Sequence, residues 1–229
     1  MLPAKIMRMR NPSASSGGDP HWANVVALLH FDGADASTSI VDEAGGSWSA
    51  VGNAQLDTAQ AKFGASSLLL DGSGDRAIGT AGNNFLLDGD FTIEGWCRYN
   101  SAASNNNRRF FDLKPTGTGN SLFIYRSSLS QVTVNVGGTT AGGSMSNDVF
   151  VHLAVARVGS SVRFFIDGTQ AGSTITNSAT LGNNTVAPVI GSDLAGRDWN
   201  GWIDEVRITK GVGRYTSSFT PPTAAFPNS

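Results

Sequence analysis

Cross-linking chemistry is all but missing from this chain. Cys97 is the single cysteine in 229 residues, so no internal disulfide can form and packing must hold the fold. Charge is sparse as well. Asp, Glu, Lys and Arg make up 15% of the residues, and the formal net charge of −2 offers no basic footprint for nucleic acid. No run approaches the ~18 consecutive apolar residues of a membrane span, so insertion into a bilayer is not expected. Helical periodicity longer than one turn is absent, and so is any repeat with a period of about 20–50 residues. Catalytic signatures are equally scarce. There is no G-x-S-x-G elbow, no P-loop and no G-x-G-x-x-G, and His21, His30 and His152 show no metal-ligand spacing.

Glycine is what the chain has in excess, 28 of 229 residues against a usual ~7%. Hydrophobic residues reach 40%, enough for a sizeable core. Short β-rich runs alternate with Gly, Asn and Ser loops. VVALLHF (25–31) reads as a buried strand. In DFTIEGWCRY (90–99), Phe91, Ile93 and Cys97 fall on one face and Thr92, Glu94 and Arg98 on the other, with Trp96 among them. Val132, Val134 and Val136 keep strict period two. FVHLAVARVG (150–159) and SVRFFIDG (161–168) meet at Gly159–Ser160, a hairpin signal. Many short strands of this kind predict an all-β sandwich or barrel in one domain.

GWIDEVRI (201–208) is a further strand. Strict alternation puts Trp202, Asp204, Val206 and Ile208 on one face and Ile203, Glu205 and Arg207 on the other. Asp204 then points into a core, where a carboxylate needs backbone N–H groups, an arginine or a metal ion. Glu205 and Arg207 are candidates for a cross-strand or surface ion pair.

MLPAKIMRMR begins the sequence with Lys5, Arg8 and Arg10 and no acids, although acids outnumber bases elsewhere. A polar stretch follows instead of an apolar h-region, so a signal peptide is not expected. Residues 1–10 are read as an arm that docks on a partner, with Leu2, Ile6, Met7 and Met9 as anchors. Residues 1–23 form the arm and linker, and 24–229 the folded body.

LLHFDG (28–33), FGASSLLLDGSGD (63–75), FTIEGW (91–96), VHLAVAR (151–157), FFIDG (164–168), IGS (190–192) and GWIDEVRITKGVGRYTSSFTPPTAAFP (201–227) carry a resemblance. In this order they resemble the laminin-G-like jelly roll of the concanavalin A-like lectin/glucanase superfamily. The closing segment is most similar to versions in bacteriophage structural proteins. Val151 stands where such domains usually place a tryptophan before the hairpin histidine.

The resemblance implies a two-sheet antiparallel jelly-roll sandwich over about residues 24–227, with the first and last strands adjacent. Tyr215, Phe219 and Phe226 would then peg the closing segment across it. The implied function is a non-enzymatic virion surface module: a capsid decoration, head fibre or tail component. It would be held in a symmetric assembly by residues 1–10 docking on other virion proteins. The alternative is a carbohydrate-binding adhesin for host attachment. Arg197, Asp198, Trp199 and Asn200 in one loop, and Tyr125 and Arg126 near Arg108, Arg109 and Lys114, are the candidate glycan contacts. A glycoside hydrolase is disfavoured, because retaining hydrolysis needs two carboxyl groups ~5–5.5 Å apart and no alternating acids line a strand. The same resemblance implies a structural Ca²⁺. Asp32, Asp35 and Asp204 could converge on it, or Asp71 and Asp75 in the DGSGD turn. Asp-Gly turn chemistry explains the same residues without a metal.

Overall fold

The computed structural model describes residues 18–103, 106–114 and 120–229. The proposed arm, residues 1–10, lies outside the described residues. Among these, sixteen strands follow in chain order. They are β1 (Val25–Leu29), β2 (Trp48–Val51), β3 (Gln55–Asp57), β4 (Ser67–Asp71), β5 (Arg76–Gly79) and β6 (Phe91–Tyr99). After them come β7 (Arg108–Leu113), β8 (Leu122–Ser128), β9 (Gln131–Val136), β10 (Thr139–Ser144) and β11 (Val151–Val158). The last are β12 (Ser161–Ile166), β13 (Thr169–Gln170), β14 (Ile175–Thr176), β15 (Val189–Ile190) and β16 (Asn200–Lys210).

Period-two patterning explains how these strands share one core. In β6, Phe91, Ile93, Cys97 and Tyr99 are fully buried inward, while Thr92, Glu94, Trp96 and Arg98 take the outer face. In β9, Val132, Val134 and Val136 point inward. Each such aliphatic or aromatic side chain contributes roughly 1.5–3 kcal/mol on burial. The strands form two antiparallel sheets packed as a jelly-roll sandwich. One has nine strands, in the order β13-β12-β11-β6-β16-β4-β3, with β1 beside β16 and β14 beside β12. The other has seven, in the order β10-β9-β8-β7-β15-β5-β2. The β11–β12 hairpin turns at Gly159, whose φ of 59° suits a two-residue hairpin loop.

β1 pairs antiparallel with β16, so the first and last strands are neighbours. β16 also lies beside β6 and β4, which makes it the centre of the larger sheet. Its alternation is not strict. A bulge between Asp204 and Arg207 places Glu205 at φ 52° and shifts the phase. Ile203, Val206 and Ile208 enter the core, while Trp202, Asp204 and Arg207 take the outer face. The expectation that Asp204 shares a core face with Val206 is therefore corrected: one inserted residue separates them.

The closing segment crosses the outer face of the nine-stranded sheet as expected. Tyr215 stacks on Phe219 with ring centroids 3.6 Å apart, and both rings meet Phe165 of β12. Phe226 is buried against Val25 and Leu28 of β1.

Candidate functional site

Beneath the closing segment lies a buried polar layer with Glu94 at its centre. Glu94 Oε1 accepts from Arg207 Nε at 3.0 Å and Nη2 at 2.8 Å. Its Oε2 accepts from the Tyr215 hydroxyl at 2.7 Å, and His152 Nε2 stands 3.4 Å away. Arg207 and Arg214 both reach Asp19 Oδ2, at 3.0 and 2.7 Å. Burial works to raise the Glu94 carboxyl, but His152, the Arg207 charge and the Tyr215 hydroxyl outweigh it and hold the group at about 2. Glu94 is thus an ionised structural hub, with no proton to give near neutral pH. In the sequence Glu94 shares the face opposite Phe91, Ile93 and Cys97 with Thr92 and Arg98, and none of its partners Arg207, Tyr215 and His152 lies on that strand. Its signal was a charge set among β-formers on a long strand, a position that demands a partner.

Glu205 and Arg207 do not pair with one another. The bulge parts them, and both are buried. Glu205 Oε1 lies 2.7 Å from His30 Nδ1, and its Oε2 accepts the Phe226 N–H at 2.9 Å.

The acids expected to hold Ca²⁺ are spent on backbone. Asp32 Oδ1 accepts from Ala65 N at 2.6 Å, Asp35 Oδ1 from Thr58 N at 3.0 Å, and Asp204 Oδ2 from Lys62 N at 2.7 Å. Asp75 accepts from Asn53 N and Asp71 N. Among the described residues, no three His, Cys, Asp or Glu side chains form a group that could hold a metal ion. Asp32, Asp35 and Asp204 therefore do not converge, because each secures a different stretch of loop. The buried Asp204 leaves Oδ1 without a hydrogen-bond partner, and burial pushes its carboxyl up to about 7.

The seven-stranded sheet presents a more open outer face. Cross-strand register sets Asn135, Phe123, Asp112, Val189 and Ile78 in one row over β9, β8, β7, β15 and β5. Tyr125 and Arg109 are opposite each other in the adjacent row. The Arg109 guanidinium lies 4.2 Å from the Phe123 ring centroid and 5.1 Å from that of Tyr125, and both rings stay partly exposed. Arg109 donates to Asp112 Oδ2 at 3.0 Å, and its Nη2 lies 3.4 Å from Asp193 Oδ2.

Asp193 also binds Arg197 at 2.7 Å and accepts from the Ala195 N–H, so it ties the 191–199 loop to the sheet. A cleft of about 510 Å³ opens here, lined by Asp112, Lys114, Val189, Asp193, Leu194 and Arg197 among others. Leu194 is 61% exposed at its rim. Burial raises Asp112 to about 6 against the pull of Arg109. Burial also works to raise Asp193, but the Ala195 N–H and the two guanidiniums hold it below the ordinary aspartate value.

Of the two sets of glycan contacts read from the sequence, Arg197 and Tyr125 come together here on either side of Arg109. The rest separate. Trp199 is fully buried, its ring edge-on to Tyr99 at 5.0 Å. Asp198 is buried, accepting from Ser192 Oγ and Gly74 N. Arg126 is buried over the Tyr99 ring at 3.9 Å. Asn200 opens β16 and donates to Asp71 O. Trp199 joins the core between Tyr99 of β6 and Phe110 of β7, while Asp198 in the loop and Arg126 on β8 are buried polar groups. Asp112 and Asp193 were not singled out from sequence, and Asp193 carries no signal beyond its Asp-Leu-Ala-Gly turn.

Residues 71–212 match the laminin G-type family model described as the Concanavalin A-like lectin/glucanases superfamily. The chain belongs to that superfamily. Comparison with curated protein sequences gives no match. Solved structures sharing the superfamily sandwich include domain 4 of AbnA, an extracellular arabinanase from Geobacillus stearothermophilus, in complex with arabinotriose. It is 16% identical with a TM-score of 0.62, over 83% of this chain and 94% of that one. The ligand binding domain of botulinum neurotoxin serotype D, in complex with N-acetylneuraminic acid, is 12% identical with a TM-score of 0.62. That match covers 87% of this chain and 49% of the toxin domain, so the chain spans about half its length. At such identities the likeness is one of fold.

Proposed function

We propose that the protein is a non-enzymatic surface module that binds carbohydrate on the outer face of its seven-stranded sheet. The observation that carries this reading is the partly exposed Phe123–Tyr125 pair beside the 510 Å³ cleft. Aromatic faces suit the C–H faces of sugars, and a few fixed polar groups orient hydroxyls. Asp112, Asp193 and Arg197 are held by ion pairs on the Arg109 scaffold. Those carboxylates are committed to guanidiniums, which favours binding over hydrolysis. The arabinanase domain and the toxin domain, each in complex with a saccharide, agree with it. The test is a glycan array followed by titration calorimetry on any hit. Tyr125→Ala should weaken binding at least tenfold, and unchanged affinity would refute the site.

A second reading concerns where the module works. The closing segment GVGRYTSSFTPPTAAFP, similar to phage structural proteins, favours display on a virion surface as a capsid decoration, head fibre or tail component. Residues 1–10 would anchor it to other virion proteins in a symmetric assembly. Deleting residues 1–10 should abolish incorporation into particles while the body stays folded. Incorporation that survives the deletion would refute the anchor.

A further inference from the structure

A second concavity lies on the nine-stranded side, against β1 and the closing segment. Its volume is about 450 Å³, and His30, Asp32, Val41, Glu43, Ala225 and Phe226 are among its lining residues. Two features set it apart from ordinary surface. Val41 is 58% exposed, so an apolar side chain sits in the open at its wall. Asp32 and Glu43 are exposed carboxylates beside it. Glu205 is buried below and pairs with the lining His30 Nδ1 at 2.7 Å, so Asp32 and Glu43 carry the groove's negative charge. Neither arginine of the buried polar layer lines the groove. The surface is therefore acidic with an apolar wall.

The same groove borders the point where residues 1–17 join the body. Asp19 N donates to Ser229 O at 2.5 Å, and Asn228, one residue earlier, lines the groove and donates to Glu43 Oε2. Asp19 is held firmly there, its carboxylate gripped by Arg207 and Arg214. Residues 11–17 can span up to about 25 Å when extended, so residues 1–10 start within reach of the groove. Their chemistry is its complement. Lys5, Arg8 and Arg10 oppose the carboxylates, no acid accompanies them, and Leu2, Ile6, Met7 and Met9 match the apolar wall.

We infer that, in the unassembled protein, residues 1–10 dock in the Asp32–Val41–Glu43 groove of their own molecule. A short tether holds them there at an effective concentration in the millimolar range, which favours the same molecule over a second copy. The inference adds an address to the anchoring reading above: the arm is parked before it is exchanged onto a partner.

The experiment places a photo-cross-linking amino acid at Met7 of the full chain, in an equal mixture of isotopically light and heavy protein. The expected result is cross-linking to peptides around Val41 and Phe226, light to light and heavy to heavy. The yield should drop at least threefold at 0.5 M salt, roughly where the Debye length falls below 5 Å. Glu43→Lys should lower the yield to the same degree without changing Tm, since that side chain is exposed. Light-to-heavy cross-links would mean that a second copy is the occupant and would overturn the inference. So would cross-links elsewhere on the body, or none. Loss of groove cross-links with normal particle incorporation would overturn the parked state alone. Groove cross-links without any need for residues 1–10 in particles would overturn the anchor alone.

Discussion

Arg207 holds Glu94 through two nitrogens on the same carboxylate oxygen, Nε at 3.0 Å and Nη2 at 2.8 Å, in a layer closed off from solvent. Removing one partner of such a pair leaves the other charged and buried, at a cost of about 3–5 kcal/mol. Glu94→Ala should therefore lower the unfolding free energy by that amount in urea titrations. Because the folded Glu94 carboxyl sits at about 2, below its unfolded value near 4.5, its stabilisation is complete above pH 4.5. It is lost as pH falls toward 2. A Glu94→Ala protein whose stability matched the parent at pH 7 would contradict the hub.

Asp204 has the opposite sign. Its folded pKa of about 7 lies above the unfolded 3.8, so the proton stabilises the folded state. Stability should fall as pH rises from about 4 to 7 and level off beyond. Asp204→Asn should flatten that stretch of a Tm–pH profile. A change of 1 kcal/mol shifts Tm by about 2–4 °C for a domain of this size, which calorimetry resolves. An unaltered slope in the variant would assign the effect to another group.

Tyr215→Phe isolates one hydrogen bond. The hydroxyl donates to Glu94 Oε2 at 2.7 Å in a buried setting, so its loss should cost about 1–3 kcal/mol while the ring stack on Phe219 persists. Denaturant midpoints equal to the parent's would show that the bond is not stabilising.

Trp199 and Tyr125 separate packing from recognition. Trp199→Ala empties a fully buried site and should destabilise by about 3–5 kcal/mol. Tyr125 is partly exposed, so Tyr125→Ala should cost little stability and lose glycan affinity. Reversal of the two phenotypes in paired melting and binding measurements would relocate the site.

Chelation gives a fifth test. Asp32, Asp35 and Asp204 secure separate backbone N–H groups and form no metal-holding group. Excess chelator should leave Tm within about 1 °C, given the shift per kcal/mol above. A larger drop would show that a metal ion contributes to stability.

The sandwich was legible where one periodicity ruled a whole strand. Phe91, Ile93 and Cys97, the three alternating valines of β9 and the Gly159 turn each state their role locally. GWIDEVRI misled because a bulge adds one residue to one strand only, and no local rule marks Glu205 as the extra one. The 194–202 loop misled differently: Trp199 looks exposed in a polar run, yet its neighbours Tyr99 and Phe110 lie about a hundred residues away. The charged layer is the extreme case. Asp19 and Arg207 stand 188 residues apart, and no spacing rule connects them. The candidate cleft was half visible, through Tyr125 and Arg197, while the acids that fix it owe their position to register.

The meeting of Asp19 with Ser229 has a geometric consequence. Residues 19 and 229 meet at one spot, on the side of the nine-stranded sheet. A tether attached there would grip the domain like the stem of a mushroom. The seven-stranded face, with Phe123 and Tyr125, would then stand away from the tether by a full sheet-to-sheet spacing of ~10 Å. Orientation is thus built into the chain path, and a tether of any sequence attached at that spot would point the same face outward.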